Sequence, residues 1–112
     1  MITKENLIKL MGLPIAGVIS VTNKTVWNDV RFSLTYTLFG EQFSEYAEPF
    51  APGVTRSLSI PEGATKINLK VEVKLGFNWS DICGPRMFAE PVTKCYKVSG
   101  TIFEVTCEEI PC

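Results

Sequence analysis

The acidic residues are the nearest thing to a catalytic set. Glu41, Glu45 and Glu48 recur within eight residues, and Glu108 and Glu109 are adjacent. Paired carboxylates do general acid–base work only where desolvation separates their pKa values. These lie in polar segments and read as a solvated surface. The chain contains no histidine, which removes the commonest general base and excludes Ser-His and Cys-His nucleophiles. A thiol without such a partner has no activator. A phosphate-cradling glycine loop needs a strand-to-helix junction, and none is discernible. Neither enzymatic activity nor a cofactor is expected.

The cysteines point to cross-linking. Cys83, Cys95, Cys107 and Cys112 are separated by eleven, eleven and four residues. No C-x-x-C occurs, which together with the missing histidine argues against zinc. An even count in a short chain permits two disulfides in any of three connectivities. With the sequons Asn23-Lys24-Thr25 and Asn78-Trp79-Ser80, this tilts toward an extracellular or exported protein. The balance of eleven basic against twelve acidic residues, net charge −1, argues against a nucleic-acid partner or a polybasic membrane anchor.

Gly76–Pro91 is the informative stretch for binding. It follows a clean strand, loses alternation and gains Gly and Pro, yet carries Phe77, Trp79, Ile82, Met87 and Phe88. Large apolar residues in a surface loop need something to face. Either the loop folds back and Trp79 plugs one end of the core, or it enters a lipid interface or grips a partner. Trp suits an interface because its ring is amphipathic.

The elements that position these residues are strands. Val30, Phe32, Leu34, Tyr36 and Leu38 alternate with Arg31, Ser33, Thr35 and Thr37. Ile67, Leu69, Val71, Val73 and Leu75 alternate with Lys66, Asn68, Lys70, Glu72 and Lys74. A period of two over this length marks a half-buried antiparallel strand. Further strands are read at 18–21, 41–48, 54–60, 92–98 and 102–107. Pro and Gly punctuate the turns, and Ser99-Gly100-Thr101 joins the last pair as a hairpin. About seven strands with turns every 8–12 residues predict an immunoglobulin-like antiparallel β-sandwich of two sheets.

The 112 residues suit one domain, assigned to 16–112. Residues 1–15 form a lead, read as a short helix over 3–11 or as a secretory signal segment.

The order of these features resembles the C-terminal β-sandwich of the cholesterol-dependent (thiol-activated) cytolysins. Ala64–Val71 is similar to that family's basic-studded strand, which runs into a Trp-rich undecapeptide loop. Gly76-Phe77-Asn78-Trp79 stands where the family has Gly-Leu-Ala-Trp. Glu90-Pro91-Val92 resembles its Leu-Pro step, and Ser99-Gly100-Thr101-Ile102 its Gly-Thr-Thr-Leu tip. Upstream, Gly17–Phe39 with Trp27-Asn28-Asp29 looks like the opening strand and Trp-Asp-Glu turn. The undecapeptide cysteine, due near Lys74-Leu75, is absent. Asp81 and Ile82 replace the paired tryptophans, and no full Thr-Leu match occurs at 101–103. The resemblance implies the sandwich fold and a membrane-facing tip, leaves sterol recognition open, and implies no pore-forming region within this chain.

Two binding readings follow. In one, Phe77, Trp79, Ile82, Met87 and Phe88, with Thr101, Ile102 and Phe103 on the neighbouring tip, contact membrane lipid. In the other, the chain is a secreted protein- or glycan-binding module, with Trp27, Asn28 and Asp29 as a carbohydrate platform. A purely structural, self-associating domain is a third expectation.

Overall fold

A computed structural model describes residues 12–112. The helix expected over 3–11 lies outside them. Among the described residues nine strands form two packed sheets: β1 (Ile15–Thr25), β2 (Val30–Leu38), β3 (Glu41–Phe50), β4 (Thr55–Pro61), β5 (Thr65–Leu75), β6 (Asn78–Asp81), β7 (Arg86–Phe88), β8 (Lys94–Thr101) and β9 (Glu104–Ile110). One sheet runs β4-β1-β8-β9. The other runs β3-β2-β5-β6, with β7 also paired to β5.

The two alternating segments become the paired centre of the second sheet. The inward positions of β2, from Val30 to Leu38, are buried, as are Ile67, Leu69, Val71 and Val73 of β5. They meet Ile19, Val21, Ile60, Tyr96 and Val98 of the first sheet. Phe32 and Phe50 pack edge to face at 6.2 Å between centroids, a favoured aromatic geometry.

Two details differ from an all-antiparallel sandwich with a single Gly76–Pro91 loop. First, β1 and β8 pair in parallel. Parallel neighbours need a crossover, and here the chain traverses the second sheet between them. Second, Gly76–Pro91 is not one loop. β6 pairs with Glu72–Leu75 and β7 with Ile67–Leu69, so both lie along the same edge of β5. The edge is interrupted at Ile82–Pro85, where Cys83 turns inward and is 7% exposed. That interruption and the brevity of both strands hide them from an alternation test.

Two disulfides form. Cys83–Cys107 joins the edge of one sheet to the edge strand β9 of the other, and Cys95–Cys112 ties the residues after β9 back onto β8.

Candidate functional site

Strand direction brings residues 51–54, between β3 and β4, and three apolar connections to one end of the sandwich: residues 26–29 between β1 and β2, Gly76-Phe77 between β5 and β6, and Ile102-Phe103 between β8 and β9. The latter two are two-residue hairpin turns, closed by Leu75 opposite Asn78 and Thr101 opposite Glu104. Gly76 has φ +65°, the left-handed backbone that such a turn demands of its first residue. In the second turn that requirement falls on Ile102, at φ +24°. A β-branched residue at positive φ is strained. The hairpin expected at Ser99-Gly100-Thr101 thus closes two to three residues later, on apolar residues that turn chemistry disfavours.

Asn28 binds the three connections together. Its Nδ2 donates to the carbonyls of Lys74 and Ile102, both at 2.9 Å. Two backbone bonds reinforce this, from Val26 N–H to the Gly100 carbonyl and from Lys74 N–H to the Asp29 carbonyl. Beneath lies Asn23, fully buried, whose Nδ2 donates to the carbonyls of Asn28 (2.7 Å) and Phe50 (3.0 Å). The Thr25 N–H donates to Asn23 Oδ1. Burying such amides is tolerable only when they are bonded. Their bonds convert loop carbonyls into fixed points. Asn23 therefore offers no free amide for glycosylation in the folded chain, whereas Asn78 is exposed.

This polar base holds apolar tips in solvent. Trp27 and Phe103 are each 76% exposed, Phe77 97%, Val26 50% and Ile102 45%. Five of the nine large apolar side chains exposed among the described residues therefore share one end. Such clustering on a folded surface is a feature that interaction sites share, which makes this end the candidate.

The residues expected to touch lipid separate into groups. Phe77, Ile102 and Phe103 stand at the tip, with Thr101 exposed at the end of β8. Trp79 lies on the outer face of the five-stranded sheet under the Arg31 guanidinium, 4.1 Å from the ring centroid. Arg31 also donates from Nε to Glu72 at 2.9 Å, and that bond raises its pKa above the ordinary value. Ile82 and Phe88 are half-buried against the core. Met87 is 70% exposed opposite Asn68, away from the tip. Trp27, offered by the sequence with Asn28 and Asp29 as a carbohydrate platform, is the more exposed of the two indoles and lies beside Ile102. Its signal was a tryptophan within a four-residue connection between two strands. Among the described residues no group of three His, Cys, Asp or Glu is placed to hold a metal.

No family model and no curated protein matches the chain. Solved structures do. Intermedilysin, described as a human-specific toxin, aligns at TM-score 0.64 and 13% identity over 86% of this chain and 23% of its own. A disulfide-locked mutant of it, solved with human CD59, also matches. Listeriolysin O aligns at TM-score 0.60 and 13% identity, covering 86% of this chain and 22% of its own. Suilysin from Streptococcus suis aligns at 0.62 and 10% identity, covering 85% and 23%. The chain thus spans about a quarter of the length of these structures. At such identities the likeness is one of fold: the described residues adopt the sandwich found in about a quarter of a cholesterol-dependent cytolysin.

Proposed function

We propose that the chain is a non-enzymatic module that engages a membrane lipid surface through its apolar tip. One observation carries this: Trp27, Phe77, Ile102 and Phe103 stand exposed together on loops pinned from below by Asn28. Burying one such side chain contributes roughly 1.5–3 kcal/mol. Two or three entering the interfacial region give measurable but reversible binding. Pre-pinned loops lower the ordering cost of that step. The two disulfides suit an oxidising, extracytoplasmic location, where such bonds persist. The cytolysin-like fold supports the reading without supplying the ligand.

Tryptophan emission tests it, because the chain has two tryptophans in different settings. Phosphatidylcholine vesicles, with and without cholesterol, should shift emission to the blue in the wild type and in Trp79→Phe. Trp27→Phe should lose most of the shift, since the remaining indole sits against Arg31. Phe77→Ala with Phe103→Ala should lower vesicle co-sedimentation by about tenfold or more. No shift and no sedimentation with any lipid would remove the membrane reading. A protein captured through the tip in the absence of vesicles would replace it.

A further inference from the structure

The three tip connections border an open surface pocket of about 330 Å³, lined by Trp27, Asn28, Asp29, Lys74, Gly76 and Ile102. We propose that this pocket takes the zwitterionic phosphocholine headgroup of a bilayer lipid, an inference that rests on the membrane reading above and names its ligand class.

The charges in the lining carry the choice. The pocket holds one anion, Asp29, and one cation, Lys74. Both side chains are exposed, and neither forms an ion pair with the other or with any other group among the described residues. Elsewhere on this surface Lys94 and Lys97 each find a glutamate. A purely anionic headgroup at Lys74 would meet the Asp29 carboxylate within the same small pocket, inside a screening length of roughly 8 Å. A purely cationic ligand would meet the Lys74 ammonium. A ligand with a phosphate at one end and a fixed positive charge at the other answers both.

The remaining wall favours a quaternary ammonium at the positive end. The Trp27 indole is 76% exposed, and aromatic faces attract such cations. Asn28 is 5% exposed, and its Oδ1 is buried without a hydrogen-bond partner among the described residues. The volume lies at the lower end of the roughly 300–1,000 Å³ typical of small-ligand pockets. Phe77 and Phe103 project beside the pocket, so headgroup capture and tip insertion use the same approach.

The experiment has a soluble arm and a vesicle arm on the intact, oxidised chain. In the soluble arm, phosphocholine is titrated by amide NMR, with phosphoethanolamine, choline chloride and inorganic phosphate as comparisons. Phosphocholine should move the amide signals of residues 27–29, 74–76 and 102. Choline or phosphate alone should bind about tenfold more weakly or worse, and Asp29→Asn and Lys74→Ala should each cost about fivefold to tenfold. In the vesicle arm, phosphatidylcholine should retain more protein than phosphatidylglycerol, and both variants should erase that preference.

Vesicle binding without headgroup preference and without an NMR response overturns the phosphocholine pocket while the membrane reading stands. A phosphocholine response with no binding to any vesicle supports the pocket and overturns the bilayer as its source. A stronger response to phosphoethanolamine overturns the quaternary-ammonium assignment. Circular dichroism of the two variants establishes that each is folded before either arm is read.

Discussion

Asn28 Nδ2 satisfies two carbonyls on two different hairpins, a task no apolar residue can perform. In Asn28→Ala both part-buried acceptors lose their donor, and leaving such groups unpaired costs about 1–3 kcal/mol. The expected result is a loss of about 2 kcal/mol in urea denaturation, with membrane binding weakened beyond what the lost stability explains, because the loops are no longer held in register. Tyr96 is the converse case. Its hydroxyl is buried with no hydrogen-bond partner among the described residues, and burial pushes its phenol pKa up while nearby Arg86 opposes that. Below pH ~10 the phenol is neutral in both folded and unfolded chains. Above it the unfolded chain releases its proton first, so the unfolded state binds fewer protons and stability falls as pH rises toward the raised folded value. Tyr96→Phe removes both effects. It should be neutral or stabilising by about 1 kcal/mol at pH 7, and a series of melts between pH 9 and 11 should show a shallower alkaline decline than the wild type.

At the scale of elements, strands and turns were legible in the sequence to different degrees. β2 and β5 each place every second residue in a core bounded by a facing sheet, so burial imposes a period of two on their residue types. No such constraint acts on β6 and β7, short pieces along one edge, and the Gly76–Pro91 pattern therefore reads as a loop. The place of Trp79 depended on Arg31, forty-eight positions away in sequence and adjacent across the sheet. No local spacing encodes that meeting. The β8–β9 turn departs from sequence rules for a different reason. A Cβ on Gly100, at φ +127°, would run into the Glu104 carbonyl oxygen, so Gly100 serves the strand bend beside the turn. Ile102 and Phe103 are left to make the turn itself. Strain of this kind costs about 1–3 kcal/mol and is retained where function uses the residue. Ile102→Asn should relieve it, since Asn tolerates positive φ. The chain should gain about 1 kcal/mol in chemical denaturation while losing vesicle affinity. A loss of stability in that variant would show that the apolar contacts of Ile102, not solvent exposure of its side chain, dominate at the tip.

At the scale of the molecule, the two sheets meet over a core of modest size, and the Cys83–Cys107 bridge spans them where the broken edge of β5 would otherwise be free to peel away. An unpaired edge is also a route to unwanted strand addition, so the bridge has two tasks. Its 24-residue separation corresponds to about 3 kcal/mol in the chain-entropy account. The second bridge has a different position. Cys112 is exposed at the end of the chain, while Cys83 is 7% exposed inside the sandwich. Exchange requires a thiolate to reach a sulfur, so accessibility orders the two reactions. Under graded dithiothreitol, followed by alkylation and mass mapping, Cys95 and Cys112 should be labelled first with the thermal transition still present. Labelling of Cys83 and Cys107 should coincide with loss of that transition, and Cys83→Ser with Cys107→Ser should lower stability by about 3 kcal/mol. Simultaneous labelling of all four would mean that the sandwich opens as one unit before either bridge is reached. In that case the edge formed by β6 and β7 contributes no independent local opening, and the tip loops are as stable as the core that carries them.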